Sequence, residues 1–349
     1  MTRFIQLHTL ISYPPSNLNR DDMGRPKTAM MGGVERLRVS SQSLKRAWRT
    51  SDVFEQKLAS GVGRHDGNLG TRTKLLGVRA YEQFKAAGFN EKLADESANK
   101  IAAVYGALKK NKPYEIEQLV HVSAEELATL DQLITTLCAE KRGPESKELD
   151  VLLHRQHAVD IAMFGRMLAS KIEHNIEAAV QVAHALGIHA TALDDDYFTA
   201  VDDLNLNDPG AAHIGESPFG AAVFYQYICI DRELLKANLG GDEALVNAAV
   251  QALIEAALTI APNGKQNSYA SRAYAHYALL EKGTRQPRSL SLAFLKPVSG
   301  EYGEKGVQAL TTLRDNMDAV YGPCADVRCE FNVLTGDGRL QSLLDFAAE

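Results

Sequence analysis

The chain has only four cysteines among its 349 residues, and no two of them form a CxxC pair. Cys324 and Cys329 are five apart, with no second ligand pair at finger spacing, so neither a zinc site nor another cofactor is expected. No secretory leader precedes the cysteines, which makes a reduced, cytoplasmic setting the expectation. No run of 18 apolar residues occurs, so no segment is expected to span a membrane. Positive charge is also short overall. The net charge is −6, which taken alone argues against a nucleic-acid binder.

The distribution of charge says more than its sum. Residues 1–50 carry nine Lys or Arg and three acids, a local net of +6, leaving −12 for the rest. A local anion-binding surface on an acidic body has this asymmetry. Hydrophobic residues at 45% and charged residues at 23% are ordinary for a soluble globular chain, long enough for about two domains.

The basic charge gathers between Asn19 and Arg49. A loop with Arg20, Asp21, Asp22, Lys27, Gly32 and Gly33 leads into a β-like run at 36–39, and a helix then opens at Ser40 or Ser41. Either hydroxyl can cap the helix by accepting from a first-turn N–H. Gln42, Lys45, Arg46 and Arg49 share one helical face, while Leu44, Ala47 and Trp48 fall on the other. A helix start combines free N–H groups with positive potential, so this stretch makes a cradle for a phosphodiester backbone. A solvated basic face on an ordinary amphipathic helix has the same spacing.

Along the chain, residues 2–13 read as a largely buried strand ended by Pro14 and Pro15. Four glycines in 60–72 mark a boundary, and helical patterning follows to about 155, including a capping box at Ser123 and Glu126. His154 and His157 lack a metal-site context. Residues 158–164 alternate like a strand, with Arg166 and Met167 just past its end; 175–188 fit helix or strand. Residues 191–218 hold six aspartates, few apolar residues and a Pro209–Gly210 turn, the pattern of a long protruding hairpin. Further strands are expected at 221–231, in the polar stretch up to 274, and at 288–298. Between Lys265 and Lys296 six basic residues face one acid, a second positive island. The sum is an α+β chain with a βαββαβ-like sheet and two insertions, lacking the aromatic signature of the standard RNA-recognition motif.

These residues carry a resemblance. LNRDD at 18–22, RVSSQSLKRAWR at 38–49, VDIAMFGRM at 159–167, FTAVDDL at 198–204, AAHIG at 211–215, VFYQY at 223–227 and KQNSYA at 265–270 occur in one order over most of the chain. Together they resemble the CasC (Cse-type) backbone subunits of type I-E CRISPR Cascade, in the RAMP superfamily. The resemblance implies a hand-like fold. A ferredoxin-like palm would comprise 1–59, 156–190 and 219–349, a helical finger insertion 60–155 and a thumb hairpin 191–218. It implies copies joined head to tail along one CRISPR RNA, each thumb folding over the guide and flipping out a base. The free guide segments pair with target DNA. Implied partners are the other Cascade subunits (large, small, and those holding the guide's 5′ handle and 3′ hairpin) and an effector nuclease-helicase. By position, Arg20, Lys27, Ser40, Gln42, Lys45, Arg46 and Arg49 would contact guide phosphates. Arg166 and Met167 fall in the matching GRM, with Met167 wedged against kinked bases. Phe198, Thr199, Val201 and Ile214 would pack beside the flipped nucleotide. Around Arg72 and Thr73 the match is only a dipeptide.

The resemblance implies no catalysis. Two other readings stand beside it. Related backbone subunits of type III complexes cut RNA with an aspartate in the loop that here holds Asp21 and Asp22, although such a pair can equally orient Arg20. A stand-alone RNA-binding regulator is the other.

Overall fold

The computed structural model describes residues 2–59, 69–153, 158–168, 171–204 and 213–349. In chain order its elements begin with β1 (Phe4–Ser16), β2 (Thr28–Met31), β3 (Val34–Val39), α1 (Ser41–Arg49), α2 (Asp52–Ala59), β4 (Thr71–Thr73), α3 (Leu76–Ala86) and α4 (Glu91–Tyr105). They continue with β5 (Val120–Val122), α5 (Ala124–Glu140), α6 (Ser146–Asp150), α7 (Val159–Phe164), β6 (Val180–Val182), β7 (Ala185–Gly187), β8 (Leu193–Ala200) and β9 (His213–Asp231). The last are α8 (Arg232–Asn238), α9 (Glu243–Thr259), α10 (Gln266–Tyr269), β10 (Ala275–Gly283), α11 (Tyr302–Tyr321), β11 (Val327–Asn332) and α12 (Leu340–Ala348). The chain is α+β and divides into two compact units. One holds Met1–Phe54, Gln181–Ile230 and Val250–Glu349; the other holds Glu55–Val180 and Asp231–Ala249.

The first unit is built on a sheet in the order β11-β10-β1-β9-β7-β3-β2, with β8 pairing antiparallel to the start of β9. This path is longer than the four strands expected. β1 is buried along most of its length because it lies between β10 and β9. It runs through Pro14 and Pro15 to Ser16, beyond Ile11, where its pairing with β10 stops and missing N–H donors cost little. Leu10, Tyr225, Tyr277 and Leu279 form a core with Leu290, Phe294 and Leu310. Each large side chain buried there contributes about 1.5–3 kcal/mol. α11 comes so close that a Cβ on Gly306 would lie 2.8 Å from Ile188 Cδ1.

A buried polar cluster ties this sheet together. Glu281, fully buried, accepts from Arg288 and from Arg328 Nε at 2.7 Å, and lies 3.3 Å from His8 Nε2. Burial alone would raise its carboxyl, but His8 and Arg288 hold it well below the usual carboxylate range. Burial in turn pushes the His8 imidazole down. Tyr225 Oη sits 2.9 Å from His8 Nδ1 and accepts from the Leu290 N–H at 2.9 Å, which fixes the segment after β10.

Several sequence-based expectations change. Residues 158–164 are the helix α7, not a strand. Val159 to Met163 are all buried, so the segment has no polar face to reveal its period. Residues 288–298 hold a 3₁₀ turn at Ser291–Phe294 in place of a strand, with Leu290 and Phe294 as its buried anchors. The polar stretch 262–274 holds the helical turn α10, and the strand begins only at Ala275. The short strands β6 and β7 resolve the ambiguity of 175–188. Only part of the second positive island is a basic surface: Arg272 and Arg285 are exposed, while two other members are taken up inside the fold. Arg288 is paired with Glu281, and buried Lys282 donates to the Phe346 carbonyl at 2.8 Å. Arg36 is also buried, donating to the carbonyls of Gly187 (3.1 Å) and Phe294 (3.0 Å).

The second unit is mainly helical. α3, α4 and α5 pack Phe84, Ile101, Leu130 and Ile134 around a short ribbon of β4 and β5. The capping box at Ser123 and Glu126 is complete, with reciprocal bonds of 2.9 and 3.1 Å. His154, His157 and the Pro209–Gly210 turn lie outside the described residues. Among the described residues no helix is long and apolar enough to cross a membrane.

Candidate nucleic-acid interface

The start of α1 is fastened to the preceding loop by Asn19. Its side-chain oxygen accepts from the Ser40 N–H at 2.9 Å, and its carbonyl accepts from the Lys27 N–H at 2.8 Å. Ser40 is the N-cap, its hydroxyl accepting from the Ser43 N–H at 3.3 Å. The buried face of α1 carries Leu44, Ala47 and Trp48, which dock the helix and turn Gln42 and Arg46 to solvent. Lys45 and Arg49 are half-buried on the same side.

Asp21 closes the loop on itself. One carboxylate oxygen accepts from the N–H groups of Met23 and Arg25, both at 2.9 Å, which is an Asx-type turn. That tight fold carries Arg20 outward, with Asp22 exposed beside it.

The loop and the helix together wall an open groove of about 410 Å³. Arg20 and Asp21 line one side, Ser43 and Arg46 another, and Asn263 with Gly264 a third. The structure thus brings Arg20 and Arg46, 26 positions apart in sequence, onto one concave surface. Basic side chains also gather around His184. His184 has its imidazole pushed down by burial and then by Arg38, Lys27 and Lys45, and its Nδ1 lies 2.9 Å from Arg38 Nη1. Sequence reasoning missed Asn19, Asn263 and Gly264. Asn19 had a local signal, an Asx residue just ahead of a charged loop, whereas nothing local connects Asn263 with α1.

In the β8–β9 hairpin, opposite residues share a face and successive residues alternate. Thr199 pairs with Ile214, and Tyr197 lies on that face. Phe198 pairs with Gly215 and occupies the other face. Its ring covers Gly215 so closely that a Cβ there would lie 2.5 Å from the ring. The four expected base-packing residues therefore do not form one patch. Thr199 and Ile214 form one pair, Phe198 faces away from them, and Val201 follows the strand. All four are exposed, as are Asp194, Asp195 and Asp196.

In the second unit the adjacent residues Arg166 and Met167 part company. The Arg166 side chain is 1% exposed, held by Glu126 at 2.8 Å and by the carbonyls of His121 and His174. It has no solvent face to offer a ligand. Met167 is 86% exposed. A second buried pair, His121 and Asp160 at 2.8 Å, lies near, and Asp160 also accepts from the Gly70 N–H ahead of β4. Arg72 in β4 is exposed. Among the described residues no cluster of three or more His, Cys, Asp or Glu could hold a metal ion.

A family model described as CT1975-like protein, a Cas family, matches residues 5–343. No curated protein matches the sequence. One similar solved chain belongs to a "CRISPR RNA-guided surveillance complex, pre-nicking". It is 27% identical, with a TM-score of 0.80 over 99% of this chain and 100% of that one. Another, from a "CRISPR RNA-guided surveillance complex", is 23% identical with a TM-score of 0.69 over the same shares, a likeness of fold.

Proposed function

The chain belongs to the CT1975-like family of Cas proteins, and on that footing we propose that it is a subunit of a CRISPR RNA-guided surveillance complex that carries the guide RNA. The observation that supports this most is the groove that Arg20 and Arg46 line together, beside the capped helix α1. Two arginines on one concave surface suit a phosphodiester backbone and ask nothing of the bases. A guide carrier needs that property, because pairing with the target reads the sequence.

In finer detail, the subunit is of the type I-E CasC kind, with 1–59, 156–190 and 219–349 as a ferredoxin-like palm, 60–155 as helical fingers and 191–218 as a thumb. Copies join head to tail along the RNA, beside the other Cascade subunits and an effector nuclease-helicase. Target DNA pairs with the guide segments between thumbs. The exposed aspartates of β8 suit a basic surface on a neighbouring copy. The role is structural rather than catalytic. Asp21 suits this, since one of its two carboxylate oxygens is taken by the turn it closes.

The test is co-expression with a CRISPR array and the neighbouring genes of the operon. A large particle containing one discrete short RNA is expected. A small, RNA-free protein would overturn the reading, and magnesium-dependent RNA cleavage lost in Asp21→Ala or Asp22→Ala would replace it with a nuclease.

A further inference from the structure

The root of the β8–β9 hairpin is held by the walls of the groove. At Ser217 the hydroxyl accepts from Lys265 Nζ at 2.6 Å and lies 3.3 Å from Tyr269 Oη. At Pro218 the carbonyl accepts from Asn17 Nδ2 at 2.9 Å, and the same amide group reaches the Gly24 carbonyl at 3.0 Å. Asn17 directly precedes the Leu18–Asp21 wall, and Lys265 directly follows Asn263 and Gly264 in the opposite wall. The two walls touch: a Cβ on Gly264 would lie 2.1 Å from the Leu18 carbonyl oxygen. Asn17 and Ser217 are buried, while Phe198, Val201 and Ile214 farther out are exposed. Each wall thus sends one side chain to the same point of the hairpin.

We infer that Asn17, Lys265 and Ser217 couple the groove to the hairpin, so that a phosphodiester backbone seated between Arg20 and Arg46 sets the hairpin's position. This rests on the groove being the RNA seat. A backbone that draws Arg20 and Arg46 together moves Leu18 and Gly264, already in contact, as one. Asn17 and Lys265 pass that movement to Pro218 and Ser217, and the paired strands carry it outward. The three are positioning residues, and they link RNA occupancy to hairpin order.

Amide hydrogen exchange tests the coupling, with hexauridylate as the probe. In the free protein, amides of 213–220 should exchange roughly tenfold faster in Ser217→Ala than in the wild type, with α1 unchanged. Ser217→Thr, which keeps the hydroxyl, should restore the wild-type rate. Hexauridylate should slow these amides about tenfold in the wild type and in Ser217→Thr, and by less than about twofold in Ser217→Ala, whose affinity for the probe should stay within about threefold. Equal exchange in the free proteins overturns the inference, as does equal slowing on probe addition. A wild type that does not bind hexauridylate overturns the groove as an RNA seat instead, and the free-protein comparison still decides whether Ser217 anchors the root.

Discussion

Arg20 and Arg46 reach the same groove from different elements, one from a loop closed by Asp21 and one from a helix docked by Trp48. On the proposed function, their contribution to RNA binding is electrostatic and additive in charge. Arg20→Ala and Arg46→Ala should each reduce the slope of log affinity against log salt by about 0.7, and the loss should be the same for every RNA sequence. Fluorescence anisotropy with short RNAs at several salt concentrations measures this; an unchanged slope would remove these arginines from the interface. Arg166 and Met167 give the opposite lesson about neighbours. Arg166→Met removes the buried cation that balances Glu126, so it should destabilise the helical unit by about 3–5 kcal/mol. Met167→Ser changes an exposed side chain and should shift stability by less than about 0.5 kcal/mol. Urea melts of both variants compare them directly. A matching loss for Met167→Ser would mean that the methionine packs against something in solution.

Elements with a local signature were the ones the sequence disclosed. The capped basic helix α1 and the Ser123–Glu126 box depend on residues within a few positions of one another, the paired strands β8 and β9 flank one polar stretch, and each is present. Elements defined by distant partners were hidden. α7 is buried on every side and looks like a strand, and the 288–298 run has strand-like composition but is pinned as a turn by Tyr225. Asn263 joins the groove only through the close approach of Gly264 to Leu18. The hairpin makes its own prediction. Its outer part is exposed, so replacing 195–216 with a short turn should leave the melting temperature of the chain nearly unchanged. RNA affinity should survive, while regular protection of a long RNA from ribonuclease should disappear. A protection ladder that persists without the hairpin would refute its part in spacing the guide.

For the molecule as a whole, acid is the expected weak point. Glu281 binds its proton less readily when folded than when unfolded, so its stabilisation is full above the ordinary glutamate range and fades as pH falls below about 4.3. His8 is also shifted down. The unfolded chain takes up that proton first, so stability declines as pH falls through about 6.5. Thermal melts from neutral to acid pH should therefore show two successive losses. Glu281→Gln should lower stability at neutral pH and flatten the second. A wild-type profile that stays level to pH ~4 would show that the cluster relaxes instead of titrating.

The groove has one further consequence, concerning time. Its walls come from opposite ends of the chain, Arg20 and Arg46 near the beginning and Asn263 and Gly264 far toward the end. β1 likewise pairs with β10 and must await its partner. At ordinary ribosomal speed the interval between translation of the first wall and the last is about 12–50 s. Throughout that interval the nascent chain has exposed arginines but no concave seat. If the groove is the guide's seat as proposed, a product that stops before Asn263 lacks one wall of it, and only a finished copy can hold a guide there.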